Sequence, residues 1–206
     1  MIGEGIDTMK SIQLLVVIII SFSHISLSNA AGPLSKKYIP SVGISLYFPK
    51  DYTLEKSNEP NRRGSFISYN FSFNFDLNCI RCNYPFLQEI QFFSIKSIKE
   101  YEKECSETNR DRGSGEGFCE TGDYPTIKEY KKQKLALQNP ERFKAKYQIK
   151  KIGTRNYIVS ISSGTDCIFR EYRCFSKDTM VAIWIVMRDP SQVEKADKIL
   201  SQLMIE

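Results

Sequence analysis

The 206-residue chain holds a single histidine, His24, and it lies in a stretch expected to be removed. Imidazole is the side chain whose unperturbed pKa falls near neutrality, the usual base of nucleophilic hydrolases and the commonest metal ligand. Without it, Ser-His-Asp and Cys-His mechanisms and His-ligated zinc sites are excluded, which leaves carboxylate, lysine or tyrosine chemistry for any catalysis. Long apolar runs are lacking too: the continuous run from Leu14 to Ile20 falls far short of the ~20 residues that cross a bilayer. No internal repeat, no cofactor or metal motif and no nucleic-acid reader motif is present.

The short apolar run has another reading. Met9 and Lys10 precede the nearly all aliphatic Ile12 to Ile20, and a polar stretch then ends in Ser28, Asn29 and Ala30. A positive start, a short apolar centre and a small-residue ending predict a secretory signal peptide over residues 1–30, cut between Ala30 and Ala31. The acidic residues ahead of Met9 make Met9 a second candidate start. Processing removes Lys10, Glu4, Asp7 and His24, leaving 28 basic and 22 acidic side chains, a net charge of +6. The expected destination is the periplasm or the exterior.

Six cysteines follow: Cys79, Cys82, Cys105, Cys119, Cys167 and Cys174. An even number in an exported chain reads as a disulfide framework. Cys79 and Cys82 have the Cys-x-x-Cys spacing of a redox couple or half a metal site, but a redox pair wants its first sulfur at a helix N-terminus. Here the preceding residues alternate, with Ile67, Tyr69, Phe71, Phe73, Phe75 and Leu77 on one side and Ser68, Asn70, Ser72, Asn74 and Asp76 on the other. That is a half-buried strand running into a turn, so structural disulfides are expected. Cys105 and Cys119 would close a local loop. Cys167 and Cys174 are too far apart on an extended segment to pair with each other; either that segment turns back on itself or, the preferred reading, the two reach to Cys79 and Cys82.

The remaining patterns predict one domain over residues 41–206, preceded by a leader segment at 31–40. Strands are expected at Val42 to Phe48, near Tyr52 to Glu55, at the aromatic stretch and at "FLQEIQFFSI". A helix with Ile95, Ile98, Tyr101 and Cys105 on one face carries Ser97 and Glu100 as a capping box. A second helix runs from Pro125 to Gln138, capped by Thr126 and Glu129 and ended by Asn139 and Pro140. Alternation from Phe143 to Lys150, then "NYIVSIS", residues 166–175 and "MVAIWIVM" make four successive antiparallel strands. The last is apolar on both faces and hence central. Asp189, Pro190 and Gln192 open a C-terminal helix whose stripe is Val193, Ala196, Ile199, Leu200 and Leu203. The fold class is α+β, an antiparallel sheet with packed helices.

Three stretches, "VGISLYFPKDYTLEK", "IGTRNYIVSIS" and "MVAIWIVMRDPSQVEKADKILSQL", resemble the PsbP-like family, the α/β/α sandwich of the extrinsic photosystem II protein and its bacterial relatives. The resemblance covers about two-thirds of the processed chain; the six cysteines are not part of the family pattern. It implies a non-enzymatic domain that docks on other proteins, and it carries over no catalytic residues.

Charge is uneven. From Lys128 to Arg155 there are ten basic residues, Lys128, Lys131, Lys132, Lys134, Arg142, Lys144, Lys146, Lys150, Lys151 and Arg155, against Glu129 and Glu141. This region is the expected contact for an anionic surface, lipid head groups or glycans, or for a protein partner. Gly113, Gly115 and Gly117 form a polar loop that lacks the flanking strand and helix of a phosphate-binding loop. The enzymatic alternative is a secreted carboxylate-dependent hydrolase using Asp76, Glu116, Glu120 and Asp123. The "NFS" at Asn70 matches a glycosylation sequon but lies mid-strand, and the polar face Ser68, Asn70, Ser72, Asn74 and Asp76 is open to a sugar or simply to water. The leading expectation is an exported binding protein without chemistry of its own.

Overall fold

Nine consecutive residues, Thr179–Met187, decide the architecture. Alternation puts Val181, Ile183, Ile185 and Met187 on one face and Met180, Ala182 and Val186 on the other, and all seven are buried. Each large apolar side chain taken from water contributes roughly 1.5–3 kcal/mol, so this strand must be covered on both sides. A computed structural model describes residues 33–57, 67–73, 84–112 and 125–206, and Leu34–Glu206 make up one unit.

The strands are β1 (Leu34–Ile39), β2 (Ile44–Pro49), β3 (Tyr52–Lys56), β4 (Ile67–Phe73), β5 (Phe86–Ser94), β6 (Ile149–Ile152), β7 (Arg155–Ser163), β8 (Ile168–Ser176), β9 (Thr179–Met187) and β10 (Met204–Ile205). Seven of them form one antiparallel sheet in the order β3-β4-β5-β9-β8-β7-β6, with β9 at its centre as its double-sided apolarity requires. The helices are α1 (Ile95–Arg112), α2 (Ile127–Gln138), α3 (Pro140–Phe143) and α4 (Val193–Ser201).

One face of the large sheet meets a smaller sheet, β1-β2-β10, together with α4. Ile39, Ile44, Leu46 and Phe48 from the small sheet and Ala196, Leu200 and Leu203 from the C-terminal region share a core with Tyr69, Phe92, Tyr172 and Ile183. The opposite face packs Phe93, Met180 and Ala182 against Ile98 of α1 and Tyr130 of α2. The class is therefore α+β, with antiparallel sheets and helices on both sides.

Several expectations change. Leu34–Ile39, within the stretch read as a leader, is β1, paired along its length with β2. The box that opens α1 sits one turn earlier than Ser97 and Glu100: Ser97 N donates to Ser94 Oγ at 3.0 Å while Ser94 N donates to Ser97 Oγ at 2.9 Å. Residues 143–148 are not a strand. Pro140, with no N–H to satisfy, occupies the first position of α3, and Phe143 O then accepts from Lys146 N and Tyr147 N. The alternation of that stretch reflected exposed lysines, and the strand begins only at Ile149. At the C-terminus Asp189 caps a short 3-10 turn at Pro190–Gln192, and β10 pairs with β2 through Ile205 and Leu46.

Two tight turns hold the meander. Gly153, at φ 60, opens the β6–β7 turn in the left-handed region that glycine enters without cost. The β8–β9 turn places a lysine there instead, Lys177 at φ 53. Its neighbour Asp178 is gripped by α2, where Tyr130 Oη donates to Asp178 O and Lys134 Nζ bonds its carboxylate. The Lys134 ammonium lowers the Asp178 carboxyl below its ordinary range. Lys177→Gly is expected to raise stability by about 1 kcal/mol by removing the left-handed strain; a lower unfolding midpoint for this variant in urea would show that the turn is unstrained.

Candidate functional site

The cationic region expected from the sequence divides once it is placed in space. Lys134 pairs with Asp178 and Lys144 with Glu141. Lys150 pairs with Asp197 of α4, and Arg155 donates to Phe175 O at 3.2 Å and Ile205 O at 2.6 Å, tying β7 to β8 and β10. These four residues serve the fold.

The other six, Lys128, Lys131, Lys132, Arg142, Lys146 and Lys151, have no ion-pair partner among the described residues. Lys128, Lys131, Arg142, Lys146 and Lys151 are exposed and Lys132 is partly so. Lys132, from α2, and Lys146, from the α3–β6 connection, crowd each other. The close approach of the Lys132 ammonium, partial desolvation and the charges of Lys132 and Lys128 together lower the Lys146 pKa. Glu129, the acidic residue among them, is turned to other partners: Tyr147 Oη donates to it at 2.6 Å and Gln133 Nε2 at 3.2 Å. Burial works to raise its carboxyl, but those hydrogen bonds and the charges of Lys146 and Lys132 outweigh it and hold the pKa down.

Beneath α4 lies a buried polar cluster that no sequence pattern announced. Asp197 accepts from Tyr172 Oη at 2.7 Å, pairs with Lys150 and lies 3.7 Å from Arg170 Nη2. Arg170 is 2% exposed and its Nε finds no acceptor among the described residues. Burial, then the bond to Asp197, pushes the Tyr172 hydroxyl far above its ordinary range. Such a network anchors the helix by charge inside a low-dielectric layer, where losing one partner is far worse than losing a surface pair.

Two of the six cysteines have described side chains. Cys167 and Cys174 are free thiols. Cys174 points inward from β8 and is 0% exposed among Tyr157, Val181 and their neighbours. Cys167 directly precedes β8 and Cys174 lies within it, seven positions on, roughly 23 Å at 3.3 Å per residue if extended throughout, in line with the expectation that they do not pair with each other. The partners expected for these two, Cys79 and Cys82, lie outside the described residues. Burial pushes the Cys174 thiol up to about 11, with Arg155 opposing. Cys79, Cys82, Cys119 and the side chain of Cys105 lie outside the described residues, as do Asp76, Glu116, Glu120, Asp123, Asn74 and the glycine loop.

The polar face of β4 is not uniformly wet. Ser68 is 3% exposed and donates to Glu89 on β5, which also accepts from Gln91 Nε2 at 2.7 Å. In register with Glu89 across β9 are Trp184 and, on β8, Glu171. Glu171 accepts from Arg173 Nε at 2.6 Å and Ser160 Oγ at 2.9 Å. Sequence reading passed over this row because each member stands alone on its own strand; the parity of Glu89 and Glu171 on strands paired with β9 is the signal that marks it.

Two outcomes follow from these environments. Asp197→Ala should cost about 3 kcal/mol or more in urea unfolding, since Arg170 is left buried without a counter-charge; a loss under about 1 kcal/mol would mean that the cluster is solvated. In native protein at pH 8, alkylation mapped by mass spectrometry should mark Cys167 and spare Cys174 until denaturant is added, because the thiolate is the reactive form. Equal labelling of both would contradict the inward placement of Cys174.

No family model matches the chain, and no curated protein matches it either. A solved structure from Bacteroides thetaiotaomicron resembles it with a TM-score of 0.42 and 11% identity over 83% of this chain. The chain spans about half the length of that protein, 48%.

Proposed function

We propose that this protein is an exported binding module, without chemistry of its own, that takes an anionic surface such as lipid head groups or glycans on the cationic patch built by α2 and the α3–β6 connection. The observation that carries the reading is the crowding of Lys132 and Lys146 beside Lys128, where Glu129 is one carboxylate against three ammonium groups. Like charges held together raise the free energy of the unliganded protein, and an anion placed between them relieves it. Lys131, Arg142 and Lys151 extend the same positive field, whereas Lys134, Lys144, Lys150 and Arg155 are committed to the fold.

The signal-peptide pattern at residues 1–30 supports export, and the resemblance to the PsbP-like family supports docking over catalysis. With Cys167 and Cys174 free, Cys79, Cys82, Cys105 and Cys119 are the four that an oxidising compartment would pair.

The test is elution from immobilised heparin in a salt gradient. The native protein should be retained and released as salt screens the attraction, and the triple variant Lys128→Gln, Lys132→Gln, Lys146→Gln should elute at clearly lower salt with an unfolding midpoint no lower than the native protein's. Identical elution of the two proteins would remove the patch from the binding surface.

A further inference from the structure

On the same side of the sheet as α1 and α2, one row of side chains runs across six strands in register: Glu55, Asn70, Glu89, Trp184, Glu171 and Ser160. Residues directly opposite in an antiparallel sheet share a face and lie about 5 Å apart. Trp184 thus stands between two carboxylates whose Cα atoms are separated by about two strand spacings, roughly 10 Å. Its indole is partly buried against the core beneath the helices and partly open.

The two carboxylates differ in what neutralises them. Glu171 has the Arg173 guanidinium as a counter-charge and Ser160 on its second oxygen. Glu89 is also partly buried, but the hydroxyl of Ser68 and the amide of Gln91 both bond its Oε1. Both donors are neutral, and among the described residues its Oε2 has no hydrogen-bond partner and no ion pair to it is formed. A carboxylate withdrawn from water and oriented by neutral donors is an incomplete ion pair. The group beside it in register is an indole, whose face attracts cations more strongly than any other side-chain ring.

We propose that Glu89 and Trp184 form a binding site for a small organic cation of the alkylammonium class, with the cation resting on the indole and its charge answered by Glu89 Oε2. Two other ligand classes fit less well. A hard metal ion needs several oxygen ligands in one shell, and no group of three or more candidate ligands occurs among the described residues. A neutral sugar would leave the charge of Glu89 uncompensated. The site is opposite in sign to the cationic patch and independent of it.

Trp184 is the only tryptophan in the sequence, so intrinsic fluorescence reports on this site alone. Choline, titrated into the full chain at constant ionic strength, should give a saturable change in emission. The neutral isostere 3,3-dimethyl-1-butanol and matched sodium chloride should not. Glu89→Gln should weaken choline binding about fivefold or more with an unchanged far-UV spectrum, while the triple lysine-to-glutamine variant should bind choline as the native protein does. If Glu89→Gln does not fold, Glu89→Asp, which keeps the charge but withdraws it by one methylene, should bind more weakly than the native protein. An equal response to the neutral alcohol, an undiminished affinity in both Glu89 variants, or no shift of the Trp184 indole resonance at saturating choline would overturn the proposal.

Discussion

Burying β9 on both faces is the requirement from which the rest of the structure follows. Val181, Ile183 and Ile185 press toward the small sheet and α4, while Met180 and Ala182 press toward α1 and α2. Leaving either side bare would forfeit several buried side chains at roughly 1.5–3 kcal/mol each, a large part of a typical domain's margin. The three layers are therefore a response to one strand. The small sheet exists because β2 can pair on both edges, with β1 on one side and the C-terminal β10 on the other.

Charge is arranged around that stack by depth. In the layer beneath α4, Asp197 gathers Lys150, Arg170 and Tyr172 into a closed group that locks the helix to β6 and β8. At the turn between β8 and β9, Asp178 ties α2 to the sheet. On the outer side of α2 and after α3 the lysines outnumber Glu129, the acid beside them, and the Lys146 pKa is lowered. Glu89 shows the complementary situation, an acid supported only by neutral donors. These incompletely matched charges set the candidate binding surfaces apart from charges that merely support the fold.

Much of the fold was legible because it depends on local periodicity. The apolar run of β9, the meander of β7, β8 and β9, the capped α2 and the stripe of α4 all follow from period 2 or 3.6 in a short window. The stretch at 143–148 misled because alternating lysines imitate a strand while Pro140 restarts a helical turn. Of the ten basic residues, periodicity could say that they cluster but not that Arg155 spends its guanidinium on two backbone carbonyls.

By itself the sequence determined that a doubly apolar strand must lie at the centre of a layered α+β unit, that histidine is confined to His24, and that positive charge concentrates between Lys128 and Arg155. Only the tertiary structure decided which of those charges are satisfied, that Cys174 is sealed in the core as a free thiol, and that Glu89, Trp184 and Glu171 share one row. The reason is physical: periodicity is a property of neighbours along the chain, whereas ion pairing, burial of a thiol and cross-strand register depend on residues that are distant in sequence and meet only when the sheet closes around β9.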